Sequence, residues 1–255
     1  MRKLLVIGIG AGNPDFMTVQ AIDALNKADV FFVFDKGEPK GDLVRLRKDV
    51  CERFIRDRPY RFVSIEDPVR DPLPHGYKQG VRDWHRERAL RLASQIAAEI
   101  DEDGCGAFLV WGDPSLYDST LRLLDILRTD TSLAFDHDVI PGISAVQVLA
   151  ARHRLVLNTI GGTVAVTTGR ELAEHGFPGD ADSIVVMLDR GDGLRAALRE
   201  DVDIYWGAYL GTPNEILLSG RLRDIIDDIE QIRACEKDRH GWIMDTYLLR
   251  RTRAG

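Results

Sequence analysis

An apolar strand that runs straight into Gly8-Ile9-Gly10-Ala11-Gly12 constrains this chain more than any other feature. Lys3 to Ile9 is β-prone, and the glycines end it in a turn whose backbone can approach a ligand closely. Asn13 followed by Pro14 is a helix start signal, and Phe16, Val19, Ala21, Ile22 and Leu25 recur at helical spacing between Asp15 and Lys27. Val30 to Phe34 is then a continuous apolar run of strand length, as in a strand covered on both faces. Strand, glycine turn, helix, strand predicts the opening of a parallel α/β sheet.

The pattern continues after a polar connection from Lys36 to Gly76, which carries Asp67-Pro68 and Asp71-Pro72-Leu73-Pro74 and a helical stretch near Leu43 to Ile55. Tyr77 to Ile100 predicts one long helix, Ala107 to Trp111 a buried strand, Leu116 to Leu127 a helix and Ala134 to Ile140 a strand, with a further helix through Ala151. Beyond about residue 145 the strands are shorter and less uniformly apolar: Thr163 to Thr168, Ile184 to Leu188, Ile204 to Leu210, Ile216 to Ser219 and Trp242 to Leu249. Helical stretches at Gly191 to Arg199 and Arg221 to Arg233 separate them. The expectation is two α/β domains, residues 1–145 with a mostly parallel sheet and residues 146–255 with a mixed one.

Bulk properties remove several function classes. A formal net charge of -7 opposes non-specific nucleic-acid binding, which needs a broad basic surface. The apolar runs are far too short to cross a bilayer, and Leu4 to Ile9 is too short for a signal peptide, so the expected setting is cytoplasmic. Cys51, Cys105 and Cys235 lie far apart with no C-x-x-C spacing, which predicts reduced thiols and no metal site.

Asp35 ends the second strand, where a nicotinamide-binding fold places its ribose-holding acid. A dinucleotide-dependent oxidoreductase is therefore the rival from another class. Against it, the spacing is G-x-G-x-G, Asn13 stands where the third glycine belongs, and Pro14 follows. Two further loops, Trp111-Gly112-Asp113-Pro114-Ser115-Leu116-Tyr117 and Ile140-Pro141-Gly142-Ile143-Ser144-Ala145, each follow a buried strand. Any one of them is ordinary turn chemistry. Together they put three glycine loops at three strand ends, where open α/β sheets bind ligands.

These loops, in this order, resemble those of the tetrapyrrole methylase family. Its first loop, roughly G-x-G-P-G-D-P with Leu-Thr after it, is matched by Gly8 to Pro14 with Met17-Thr18; its second, G-D-P, by Gly112-Asp113-Pro114; its third by Pro141 to Ala145. Later strands ending near a Met and leading to a Gly-Thr correspond to Ile184 to Leu188 and to Leu210-Gly211-Thr212. Ala11 replaces the usual proline, Asn13 an aspartate, and the Lys36 to Gly76 connection is longer than typical. The stretches Val110 to Thr120, Trp206 to Thr212, His240 to Tyr247 and Asp29 to Gly37 look like one member that methylates a corrin precursor, and they argue against other methylases of the family.

The resemblance implies a homodimer that takes S-adenosyl-L-methionine in a trough between its two domains. It implies methylation of an anionic tetrapyrrole, precorrin-5, at C1 with loss of acetate on the route to cobalamin. Carried over by position, the cofactor contacts would be Ala11, Gly112, Asp113, Leu116, Ser144, Ala145, Leu188 and Gly211. Hydrolysis of the acetyl group needs a base and an oxyanion partner, for which Asp113 and Tyr117 are the candidates, with His85, His240 and Asp245 behind them. Arg86, Arg88, Arg122, Arg152 and Arg154 lie near site elements and could face substrate carboxylates. A family relative that binds the cofactor without catalysis would keep the same loops.

Overall fold

In the first strand, β1 (Arg2–Gly8), Leu4 and Val6 point to one face of a sheet and Leu5 and Ile7 to the other, and all four are buried. A strand covered on both sides needs helices on both sides, and this layering organises the first half of the chain. The computed structural model describes residues 1–35, 41–68 and 77–252, and the side chains among them except those of residues 35, 41–44 and 77–82. It divides into two compact units, Met1–Ser144 and Ala145–Gly255.

In the first unit β1 is followed by a short 3-10 turn (Pro14–Phe16), α1 (Val19–Leu25), β2 (Val30–Asp35), α2 (Gly41–Phe54), β3 (Arg61–Glu66) and α3 (Tyr77–Glu99). Then come β4 (Cys105–Val110), α4 (Thr120–Asp130) and β5 (Phe135–Ile140). The five strands are all parallel, in the order β3-β2-β4-β1-β5. Leu4, Val6, Phe32 and Phe108 form one core with Leu92 and Ile96 of α3 and Leu123, Leu124 and Leu127 of α4. Leu5, Ile7, Phe31 and Leu109 form the opposite core with Ala21 and Leu25 of α1 and Val50 of α2.

Three local expectations shift. The helix expected over Asp15 to Lys27 is interrupted, because Thr18 adopts an extended backbone and its Oγ1 accepts a hydrogen bond from the Ala21 amide at 3.1 Å, capping α1 afresh. The helix expected from Leu116 begins only at Thr120, since Tyr117 has a φ of 52° and the Asp118 carboxylate takes the Thr120 amide. Within the polar connection the sequence conceals β3, an edge strand in which only Ile65 is buried. Residues 36–40 and 69–76 of that connection, with its Asp71 to Pro74 cluster, lie outside the described residues.

The second unit runs α5 (Ala145–His153), β6 (Val164–Thr168), α6 (Gly169–His175), β7 (Ser183–Met187), α7 (Asp192–Ala197), β8 (Val202–Ala208), β9 (Ile216–Arg221), α8 (Leu222–His240) and β10 (Asp245–Arg251). Its sheet, in the order β6-β7-β10-β8-β9, is mixed: β6 pairs parallel with β7, and the remaining pairs are antiparallel. The two-sheet α/β class read from the sequence is thus the fold observed. Helix α6 was not foreseen. It is short, begins on the capping hydroxyl of Thr168 and stops at Gly176, whose φ is 77°. Among the described residues no helix is long and apolar enough to cross a membrane, and the three cysteines are free thiols.

Candidate functional site

Strand order brings the three glycine loops of the first unit side by side. In the sheet β1 stands between β4 and β5, so the loops that leave their carboxyl ends are neighbours. This is the edge at which open parallel sheets bind ligands. The first two loops pair backbone to backbone: the Gly112 amide donates to the Gly10 carbonyl at 2.9 Å, and the Gly10 amide to the Gly112 carbonyl at 3.3 Å. The third closes over both. A Cβ on Gly142 would stand 2.1 Å from the Gly112 oxygen and 2.8 Å from Gly8 Cα, and one on Gly8 would stand 2.5 Å from the Gly142 nitrogen. These glycines are required by mutual approach of the loops, whatever else the loops contact.

Asp113 is the clamp between the second and third loops. Its Oδ2 accepts from the Gly142 amide at 2.8 Å, and its Oδ1 accepts from both the amide and the hydroxyl of Ser115. Burial works to raise its pKa, but the bonds from Ser115 and Gly142 outweigh it and hold the carboxyl below its usual range. An ionised group so occupied is a weak base. Asn in its place must turn an NH2 toward one of these donors, so Asp113→Asn is expected to cost about 1–2 kcal/mol in a urea titration. Because the folded pKa is depressed, the carboxylate's contribution is present above the unfolded value and is lost as acid protonates it below that value. Asp113→Asn should therefore flatten the acid limb of stability against pH.

Around this clamp, Ala11 and Ser144 are buried and Leu116 is half-buried, its amide bonded to the Asp113 carbonyl at 3.2 Å. Tyr117 is exposed and held at positive φ. The segment after it is braced by Arg88, which is buried, lies 3.9 Å over the Phe34 ring, donates to Ser119 Oγ at 3.1 Å and pairs with Asp67 at 2.8 Å.

In the second unit β7 and β8 both run antiparallel to β10, so their carboxyl ends share one edge. Just past these ends Leu188 has a φ of 54° and Tyr209 a φ of 48°. Leu188 is a large apolar residue 64% exposed in a strained backbone, a combination that collects at functional sites rather than in passive turns. Gly211 follows Tyr209 at a φ of 78°, and its amide donates to Glu215 Oε2 at 2.7 Å. Arg152 of α5 pairs with the same Glu215 at 2.9 Å. Ala145 opens α5.

The arginines expected to face substrate are partly committed elsewhere. Arg86 pairs with Asp130 at 3.1 Å, Arg88 with Asp67 and Arg152 with Glu215; Arg122 and Arg154 are exposed. His240 lies 3.2 Å from Glu236 and edge-on to Tyr209, while His85 lies against Trp84. Asp245 is buried against Arg233 and Trp206. Glu171, Glu174 and His175, all exposed at i, i+3 and i+4 on α6, are the one group among the described residues whose ligand atoms lie close enough to share a cation.

Sequence reasoning passed over Asp189 and Arg233. The signal was present for Arg233: on α8 the buried positions Leu222, Ile226 and Ile229 continue in step to it, and a charge in a buried stripe requires a buried partner.

The dinucleotide reading loses its physical basis at the first loop. The Asn13 side chain takes the Asp15 amide, and only a three-residue 3-10 turn follows before α1 starts afresh at Thr18. Among the described residues no long helix presents its N-terminus to that loop, as a pyrophosphate site requires. The side chain of Asp35, the acid of that reading, lies outside the described residues.

Comparison with known proteins agrees with the loops. Over 251 residues the chain is 47% identical to the precorrin-6A synthase [deacetylating] of a Sinorhizobium species, covering 98% of this chain and 96% of that protein. The crystal structure of a cobalamin synthesis related protein, CobF, from Corynebacterium diphtheriae superposes with a TM-score of 0.81 at 42% identity, over 98% of each chain. The uroporphyrin-III C-methyltransferase of Thermus thermophilus, solved in complex with S-adenosyl homocysteine, shares the fold at a TM-score of 0.61 and 16% identity, covering 97% of this chain and 91% of that one. Residues 3–226 match the profile of the tetrapyrrole (corrin/porphyrin) methylases, and the chain belongs to that family.

Proposed function

We propose that this protein is an S-adenosyl-L-methionine-dependent C-methyltransferase of cobalamin biosynthesis that converts precorrin-5 to precorrin-6A, methylating C1 and releasing the C1 acetyl group as acetate. The observation that carries this reading is the full-length 47% identity to a precorrin-6A synthase. The three adjacent loops support it, because they supply a backbone cradle at the edge where the fold binds ligands.

The cofactor supplies an electrophilic methyl on a sulfonium, so the protein's part is chiefly to hold the acceptor carbon in line. In the first unit Ala11, Gly112, Asp113, Leu116 and Ser144 are proposed to contact it. Ala145, Leu188 and Gly211 are the proposed contacts in the second. Gly112 supports such a role through its left-handed φ of 70°, which favours glycine at the turn that joins the first two loops. Asp113 serves by fixing the loops. Tyr117, exposed at the second loop, is the group proposed to face the acetyl carbonyl. There its phenol can donate a hydrogen bond to the developing oxyanion while water adds, giving up its proton to solvent, and the bond from C1 to the acyl carbon breaks to release acetate. The electron pair left on C1 then takes the methyl. A homodimer in the cytoplasm, with an anionic tetrapyrrole as its partner, goes with this reading.

The test is calorimetric titration with S-adenosylmethionine, S-adenosylhomocysteine and NADH in parallel. Micromolar binding of the first two without NADH is expected, followed by acetate release from precorrin-5 in step with methyl transfer. Binding of NADH alone would overturn the assignment.

A further inference from the structure

The second unit buries more charge than its loop contacts explain. Asp189, Arg233 and Asp245 are each at least nine-tenths buried, beside the apolar core of the second unit. Buried charges are costly unless paired, so their arrangement is informative.

Strand β10 lies between β7 and β8 and antiparallel to both, with Thr246 opposite Met187 and Gly207, and Asp245 opposite Ala208. Each neighbouring strand then turns into positive φ one residue on, at Leu188 and at Tyr209. Asp245 therefore heads β10 with a strained turn on either side. Its Oδ2 accepts from Trp206 Nε1 at 2.7 Å and from Arg233 Nη1 at 2.7 Å. The same guanidinium donates through Nη2 to the Asp189 carbonyl at 2.7 Å, one residue past Leu188. On the other side, the Tyr209 amide donates to the carbonyl of Met244, one residue before Asp245. The Asp245 carboxylate is thus tied to the Leu188 turn through Arg233, and the peptide that joins Met244 to Asp245 is tied to the Tyr209 turn.

We infer that Asp245 and Arg233 are positioning residues of the cofactor site, holding the Leu188 and Tyr209–Gly211 turns in register and coupling cofactor affinity to the charge on Asp245. The inference rests on the reading that Leu188 and Gly211 contact S-adenosylmethionine. Burial pushes the Asp245 carboxyl up to about 6, against the lowering pull of Arg233 and Trp206. The charged and titratable groups facing it are Arg233 on α8, Asp189 after β7, Tyr247 on β10 and Tyr209 after β8. Protonation removes the charge that orients Arg233, so affinity should be full above this value and weaken as pH falls through it. The ligand itself contributes nothing there: its amine titrates well above and its carboxylate well below. His240 lies ring to ring with Tyr209, so a variant must assign the effect.

The experiment measures the Kd of S-adenosylhomocysteine by calorimetry on the full chain from about pH 5.5 to about pH 7.5, the span that brackets this carboxyl. Wild-type affinity is expected to be about threefold weaker at the acid end, where roughly a quarter of the carboxyl is still ionised. Asp245→Asn should be about tenfold weaker than wild type at the upper end and nearly flat across the range. Arg233→Lys, which keeps the charge but loses the second arm to the Asp189 carbonyl, should bind weakly yet keep the pH slope; it carries the test if Asp245→Asn does not fold. A purely structural role would lower the unfolding midpoint and leave the Kd of the folded protein and its slope unchanged, which overturns the inference. Absence of binding by the wild type at every pH overturns the cofactor reading itself, and the inference with it.

Discussion

Gly142→Ala is expected to destabilise the first unit by about 3 kcal/mol and to weaken S-adenosylhomocysteine binding at least about tenfold. The new methyl would meet the Gly112 carbonyl oxygen at 2.1 Å and Gly8 Cα at 2.8 Å, and both neighbours are backbone with no rotamer to yield. Relief requires the third loop to lift, which also breaks the bond from the Gly142 amide to Asp113. Gly142 is not among the positive-φ residues, so the penalty is steric and not conformational. Gly161→Ala makes the complementary control. That residue has a φ of 69° and nothing within 4 Å of a new Cβ, so only the left-handed backbone cost of about 1–2 kcal/mol applies, with cofactor affinity unchanged. Urea titration and calorimetry on the two variants separate the effects. A Gly142→Ala protein with the stability and affinity of its parent would show that the loops do not close in this way.

The same loop shows how far the sequence could be read. Glycines at Gly8, Gly112 and Gly142 announced close backbone approach, and their order carried the family resemblance. Sequence could not say that the closest approach is between the loops themselves, because that depends on β1 lying between β4 and β5, a pairing across distant segments. The parallel sheet was legible because strands buried on both faces are continuous apolar runs, as in Val30 to Phe34. Arg61–Glu66 escaped notice because an edge strand alternates polar and half-buried residues and imitates a connection.

Asp113 illustrates a second limit. A carboxylate in a Gly-Asp-Pro loop reads equally well as base or as turn cap; here it caps Ser115 locally and also takes the Gly142 amide at 2.8 Å, contributed from far along the chain. The buried polar network of the second unit was invisible for a related reason. Asp189, Arg233 and Asp245 come from a loop, a helix and a strand, and their pairing has no local spacing. What the sequence did offer was Arg233 in an apolar helical stripe, and Arg88, which continues the buried Leu92 and Ile96 of α3 in the same way. Each proved to be bonded to a turn next to a proposed site residue.

Asp189→Ala is expected to have the largest effect on the second unit, about 4 kcal/mol. Its Oδ1 accepts from the amides of Gly191 and Gly193 at 3.0 Å, and its Oδ2 accepts from the Leu194 amide at 3.1 Å and the Tyr247 hydroxyl at 2.8 Å. Alanine would leave these donors buried beside Arg233 with no acceptor, while Asn would keep one oxygen and cost less. The carboxylate also sets the size of its neighbour: a Cβ on Gly169 would stand 2.1 Å from Asp189 Oδ1. Gly169→Ala should therefore be severe in the wild type and only partly relieved once Asp189 is alanine, because the oxygen at 2.1 Å has gone while the Cβ of residue 189, at 2.5 Å, remains. Even then a Cβ at Gly193 would meet Gly169 Cα at 2.7 Å, so the backbones of α6 and α7 remain in close approach and Gly193→Ala should stay severe in either background. Urea titrations of the single and double variants measure this coupling directly. Strict additivity of Gly169→Ala with Asp189→Ala would mean that the carboxylate does not fill that space, and that the turn carrying Leu188 is held by something other than Asp189.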